Sequence, residues 1–455
     1  MLIFLLTVEV AASEIFEGRA FYFGDLHVHT AASRDGRSED MGQEFARGCG
    51  VYDCGAVGEL ADNARAEGLD FFALADHVNG NPTGDEGLFM TALDAVMAAN
   101  DPEGGMVTVP AAEVHFVEGE RLLGHKNLYL FGDDEQLAGI GWETFRFNGD
   151  SSKIDSCAAG FEWLEGVRDR FGPLALIPHH PAPVTPMPVD WTCHDPAVEL
   201  AVEVYSHHGN SLTVDEGYDP PYAGIEREGA VAWALDVEQL KLGFIASTDD
   251  HLTWPGRTCV APQDNRYGGG LAVVVTPEAE SFSRMSIYEA LVERRTYATS
   301  GPMIPATITY SDASGVLGGM GELLAPTERG PVTAELKIPL GVSPFVLGVE
   351  LVTPLGVEVF EAAADGHWLL TYDSPAPWFY PRIRVDGAAW YGGEACPDNG
   401  DDEERIWLSP TWYDAPPEPT DEPSCGGCGK SGAAWLLVGL LGVRRRRERR
   451  QKYCR

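Results

Sequence analysis

The chain predicts an α/β fold, a barrel or a doubly wound sheet, followed by a smaller β-sandwich-like domain. Three observations carry this. From about residue 20 to residue 300, strand-like and helix-like segments alternate with short connections, the pattern of sheets covered by helices. Eleven of the twelve histidines lie between His27 and His251, most of them where an apolar strand-like run ends. Barrels carry their chemistry at the C-terminal ends of their strands, so these histidines favour the barrel. After Gly301 the texture changes to short alternating runs separated by Gly- and Pro-rich turns.

Strands are expected at 21–26, 69–75, 106–112, 127–131, 174–177, 201–205, 244–247 and 272–275. Helices are expected at 57–67, 88–99, 161–171, 225–241 and 284–294. The segment 225–241 earns its helix from Ile225, Val231 and Leu235 spaced among Glu, Arg and Lys, with Leu242 just beyond. In the C-terminal part, 306–310, 332–338, 346–352 and 381–385 alternate apolar and polar residues, with no convincing helix between them. The resulting organisation is a signal peptide at 1–13, a barrel at 20–301, a β-rich domain at 302–413, a Pro/Glu-rich linker at 414–424 and a terminal segment at 425–455.

The formal net charge is −38, and the body is more acidic still, because nine Lys and Arg with a single acid lie after Ser424. Such a surface repels long polyanions, which speaks against nucleic acid as a partner and favours cations. Residues 1–13 have the apolar run and small-residue end of a signal peptide, without its basic start and with Glu9 inside it. Six cysteines lie in the body (Cys49, Cys54, Cys157, Cys193, Cys259 and Cys396), enough for three disulfides in an oxidising compartment, with the pairing open. At the other end stand Cys425-Gly-Gly-Cys-Gly429, an apolar run over 433–443 and an arginine-rich stop. That apolar run is shorter than the ~20 residues of a comfortable transmembrane helix. The three features together resemble the MYXO-CTERM sorting signals of myxobacterial surface proteins. The resemblance implies recognition by a membrane-bound sorting protease, export, and anchorage at the cell surface or outer membrane.

The chemistry lies in short motifs. In Asp25-Leu-His-Val-His29, residues two apart on a strand share a face, so His27 and His29 point the same way, and Asp25 lies one step deeper. Asp249 and His251 repeat the pattern. No phosphate-binding loop, dinucleotide fingerprint, nucleophile elbow or zinc-spaced cysteine pair in the body offers a competing chemistry.

With Asp25-Leu-His-Val-His29, Ala75-Asp-His77 and Asp249-Asp-His251 in this order, residues 20–300 resemble the polymerase and histidinol phosphatase (PHP) superfamily of metallohydrolases. Within it, Tyr205-Ser-His-His-Gly209, Arg294-Arg-Thr-Tyr-Ala-Thr-Ser-Gly301 and Ile406-Trp-Leu-Ser-Pro-Thr-Trp412 are similar to bacterial members of unknown function. The resemblance implies a distorted (β/α)7 TIM-like barrel with three divalent ions held by nine ligands. These are His27, His29, Asp35, His77, Glu113, His125, His180, Asp249 and His251; His115 competes with His125, and His179 with His180. Mixed imidazole and carboxylate ligation suits Zn, Mn or Fe, without choosing among them.

The activity so implied is hydrolysis of a phosphomonoester or phosphodiester by a metal-bridged hydroxide, on a small phosphorylated substrate. Arg257 is a candidate phosphate clamp and His208 a second group to stabilise charge; Trp254 is a candidate wall. Two alternatives stay open: an amide or ester hydrolase using the same metals, and a non-enzymatic surface-anchored binding protein with structural metals. Oligomeric state is not legible.

Overall fold

The architecture starts from strand β1 (Arg19–Val28), buried along nearly its whole length. It pairs in parallel with β2 (Phe71–Leu74), reached through helix α1 (Leu60–Ala66). Helix α2 (Glu86–Ala99) then leads to β3 (Val107–Glu118), parallel to β2. Parallel strands covered on both faces read as continuous apolar runs, and Phe-Phe-Ala-Leu in β2 is buried at every position. Helix α2 covers this sheet with Ala92 and Val96, which share a core with Phe72 and Leu74. The computed structural model describes residues 14–33, 55–78, 86–119, 121–147, 154, 156–184, 188–213, 218–219, 224–258, 268–326, 330–361, 363, 365–372, 376–392 and 403–414. All of these belong to one unit that ends at Pro416.

At β3 the regular alternation of strand and helix fails. The segments 106–112 and 127–131 are the inner parts of one long antiparallel hairpin, whose second arm is β4 (Arg121–Leu130). The chain turns at Gly119, in the left-handed region at φ +64°, where a side chain would be strained. The register places His115 opposite His125 and Glu113 opposite Asn127. Helix α3 (Cys157–Phe171) follows, capped by the Ser156 side chain, which accepts from Ala159 N at 3.2 Å. Strand β5 (Leu174–Pro178) adds antiparallel to β4. A disulfide from Cys157 to Cys193 ties the start of α3 to the loop beyond β5; Cys49, Cys54, Cys259 and Cys396 lie outside the described residues.

Strands β6 (Ala201–Ser206) and β7 (Gly243–Ala246) pair in parallel in a separate small sheet. Between them α4 (Val231–Asp236) is far shorter than the expected 225–241. Ile225 is drawn into an extended bridge with Pro183, and Gln239 takes φ +58°, so tertiary pairing at one end and a turn at the other outweigh the amphipathic spacing. Strand β8 (Leu271–Pro277) returns antiparallel to β1, and after helix α5 (Arg284–Val292) strand β9 (Thr296–Thr299) pairs antiparallel with β8. That last strand, four residues long, was not anticipated.

The C-terminal part is β-rich, as its alternation predicts. Strands β10 (Thr307–Asp312), β11 (Val332–Lys337), β12 (Val346–Thr353), β13 (Gly356–Glu361), β14 (His367–Tyr372) and β15 (Trp378–Asp386) precede a single helical turn, α6 (Gly387–Trp390). Strands β16 (Glu403–Leu408) and β17 (Thr411–Tyr413) follow. Strands β10, β11 and β14 lie in a four-stranded sheet. Strand β16 bonds both β15 and β9, so one sheet runs from the first half of the chain into the second. Its apolar face joins Phe21, Val273 and Tyr297 to Tyr310, Leu336, Trp368 and Ile383 in one core. Among the described residues no helix is long and apolar enough to cross a membrane. The expected signal peptide at 1–13, the expected linker beyond Asp414 and the segment 425–455 lie outside the described residues.

Candidate metal centre

Seven chain segments converge on one basin. Strand β1 supplies His27 and, just past its end, His29. His77 follows β2, Glu113 and His115 stand on β3, and His125 on β4. His179 and His180 follow β5, His207 and His208 follow β6, and Asp249 and His251 follow β7. The parallel strands thus present their C-terminal ends. His125 arrives differently, from the middle of a returning strand. Directly opposed cross-strand residues share a face, which is why His115 and His125 both enter, their rings stacked 4.0 Å apart.

The innermost contact is between His27 Nε2 and His29 Nε2, 3.0 Å apart. The opposite edge of each ring is committed. His27 Nδ1 lies 3.2 Å from Glu203 Oε2, an acceptor, so it carries the hydrogen. Ser33 Oγ donates to Asp76 Oδ1 at 2.8 Å and accepts from His77 N at 2.8 Å. It therefore accepts from His29 Nδ1 as well, at 2.7 Å. Both Nε2 atoms then present lone pairs to each other, a contact that repels unless a proton or a metal cation is shared. These residues fit a metal.

Glu113 sits at the centre. Its Oε2 faces His77 Nδ1 at 3.3 Å, His29 Nε2 at 3.5 Å and His27 Nε2 at 3.6 Å. Its Oε1 faces His125 Nδ1 at 2.5 Å and His179 Nε2 at 3.5 Å. One carboxylate thus separates two imidazole sets. Asp249 does the same with Oδ1, 3.0 Å from His29 Nε2, and Oδ2, 3.2 Å from His208 Nε2. Three-or-more-residue donor groups within reach of one ion are Glu113–His125–His179–His180, His27–His29–Asp249, His29–His77–Glu113, His27–His179–Glu203 and His207–Asp249–His251. Buried histidine, glutamate and aspartate groups here can therefore hold metal ions.

Backbone strain falls on two of the same residues. His180 has φ +31° and Asp249 φ +54°, a left-handed backbone that is uncommon for non-glycine residues and that Glu17, Asp219, Gln239, Thr253 and Arg294 share elsewhere in the chain. Consecutive side chains on an extended strand point to opposite faces. The turn at His180 instead brings its ring to 3.6 Å from that of His179. The competition between the two is resolved by admitting both.

Charge follows geometry. Burial opposes ionisation of Glu113, but His77, His125 and His179 outweigh it and hold its carboxyl well below the usual range. Asp249 is likewise held low, by His27 and His207 against burial. His27 is raised well above its ordinary value, since Asp249 and Glu203 overcome desolvation. His125 is pushed down to about 3 by burial and His115; His29, His180 and His207 are also lowered, chiefly by burial.

A pH dependence follows for the metal-free protein. A lowered histidine refuses a proton that the unfolded chain accepts below ~6.5, so the unfolded state binds more protons and stability falls on acidification. For His125 this window runs from ~6.5 down to about 3. Glu113 and Asp249 contribute stability above ~4 that is lost as pH falls through their depressed values. His27 and His179 act oppositely: their stabilisation is full below ~6.5 and lost as pH rises through their raised values. With four histidines lowered and two raised, thermal melts of the metal-free protein should show Tm decreasing from pH 7 to pH 4. A flat or rising Tm would contradict these assignments.

Of the nine expected ligands, His27, His29, His77, Glu113, His125, His180, Asp249 and His251 come together; Asp35 lies outside the described residues. His208 enters the basin beside Asp249 and His180, with ring centroids 4.7 Å apart for the histidine pair. Arg257 stacks its guanidinium 4.8 Å from the Trp254 ring, whose Nε1 donates to Glu67 at 2.9 Å. Asp25 on β1 is fully buried. It accepts from His27 N, Thr248 N, Thr248 Oγ1 and Gly256 N, clasping β1 to the loop that carries Asp249. Burial pushes its carboxyl up to about 7 against those bonds.

Glu203 was missed. The signal was a lone carboxylate inside Ala-Val-Glu-Val-Tyr, since an unpaired charge is almost never fully buried. Ser33 carried no signal. No protein-family model matches the chain, and no curated protein matches it either.

Proposed function

We propose that this chain is a metal-dependent phosphoesterase of the PHP type, hydrolysing a phosphomonoester or phosphodiester of a small substrate at a multinuclear site. The observation that carries the reading is Glu113, fully buried between two imidazole sets, with paired Nε2 lone pairs beside it. Two divalent ions would be held by His27, His29 and Asp249 and by His125, His179 and His180, with Glu113 shared between them. His77 and His251, both beside the His29 ring, offer donors for a third. Zn, Mn or Fe suit these ligands. When bound, such ions supply Lewis acidity that activates water and neutralises phosphoester charge.

The protein's own groups do the rest. The carboxylates keep the cations apart, and burial of the inner donors excludes bulk water. The basin opens where its histidines are partly exposed: His77 at 18%, His115 at 20% and His251 at 17%. A substrate enters past these rings, where His208, and Arg257 on the loop after His251, would meet its negative charge.

The fold reading goes with this. Strands β1 to β5 hydrogen-bond in order, Leu176 N reaches Val198 O just before β6, and Val28 bridges Asp250 just after β7. These links favour a distorted (β/α)7 barrel, with a β-sandwich-like part after residue 301. The Cys157–Cys193 disulfide favours export and a surface location.

Purified protein loaded with Mn or Zn should hydrolyse p-nitrophenyl phosphate or its bis-ester. His27→Ala should remove that turnover by more than the ~10–100-fold typical of an outer partner. Folded, metal-containing protein that cleaves aryl esters or anilides but no phosphate would transfer the reading to carbonyl hydrolysis. Metal content without any turnover would favour the binding protein.

A further inference from the structure

We infer that Glu203 is a positioning residue that fixes two basin imidazoles at once, those of His27 and His179, with Nε2 turned inward. The inference rests on the metal-binding part of the function proposed above. Glu203 is 1% exposed on β6, His27 stands on β1 and His179 follows β5, so one side chain links three segments. Its two oxygens divide evenly: Oε2 lies 3.2 Å from His27 Nδ1 and Oε1 lies 3.2 Å from His179 Nδ1.

An ionised carboxylate only accepts. Both Nδ1 atoms must therefore carry hydrogens, so in the neutral rings that metal ligation requires both Nε2 atoms carry the lone pairs. Those Nε2 atoms are the ones that face Glu113, at 3.6 Å for His27 and 3.5 Å for His179. Glu203 thus sets tautomer and ring orientation together, and it makes His179 a ready donor in its own right beside His180. Outer partners of this kind typically govern metal affinity by about 10–100-fold.

Glutamine at this position makes the argument testable, because its two ends differ. Its oxygen can accept from one Nδ1–H, but its amide must donate to the other Nδ1. That moves the second ring's hydrogen to Nε2 and removes the nitrogen from ligation. Zinc binding to the full chain is measured by competition with a chromophoric chelator, with zinc per chain counted after desalting, for wild type, Glu203→Gln and Glu203→Asp. The aspartate keeps the charge but is one methylene short of spanning both rings.

Both variants are expected to fold, by circular dichroism, and to bind zinc about 10–100-fold more weakly or to lose one ion per chain. Wild-type zinc affinity and stoichiometry in the folded variants would overturn the inference. So would failure of both variants to fold without metal, which would make Glu203 a structural residue. Zinc uptake needs no turnover to be read. A wild type that holds zinc and hydrolyses no phosphoester sinks the phosphoesterase reading and leaves Glu203 in its role.

Discussion

Glu113→Gln is expected to abolish one tightly held metal ion per chain and to lower turnover by more than about a hundredfold. The size follows from position. Glu113 is a buried carboxylate at the centre of the basin whose two oxygens face separate imidazole sets, His27, His29 and His77 on one side and His125 and His179 on the other. An outer partner costs about 10–100-fold in affinity or activity, and a shared ligand between two cations must exceed that. The variant loses a charge while keeping its shape, so cations on either side lose the anion between them. The amide nitrogen also places a donor where lone pairs are needed. Circular dichroism should remain native, while zinc per chain and aryl-phosphate turnover fall together. A folded Glu113→Gln protein with full zinc content would contradict the bridging role.

Metal removal is the second large effect, and it reads stability. The basin buries three carboxylates, Glu113, Glu203 and Asp249, among imidazoles whose Nε2 lone pairs face one another. Ions that bind only the folded state stabilise it by about 4 kcal/mol per site at a thousandfold excess over Kd. Two or more such sites should raise Tm by about 10 °C or more. Chelation followed by calorimetry should show that fall, and added Mn or Zn should reverse it. A Tm that ignores both chelator and metal would argue that the cluster is satisfied by hydrogen bonds alone.

Much of this centre could be read from the sequence, because its ligands are tied to local patterns. His27 and His29 declare a shared face by their spacing, and His77, His180 and Asp249 follow strands whose apolar runs are unmistakable. The hairpin of β3 and β4 was harder: Glu113 and His115 on one face interrupt the apolar signal, so its strand looked shorter than its real twelve residues. Helix α4 was over-read because amphipathic spacing cannot reveal that Ile225 pairs elsewhere. The admission of both His179 and His180 depends on a left-handed backbone at His180, which no side-chain pattern announces. Glu203 needed the third dimension: its partners lie 176 and 24 residues away.

The most direct test of the whole account is elemental analysis of the full-length protein, produced with Mn, Zn and Fe available and desalted before counting. Convergent imidazoles sharing Glu113 and Asp249 predict at least two divalent transition-metal ions per chain. Fewer than one per chain in folded protein would contradict the metal centre and the hydrolase built upon it.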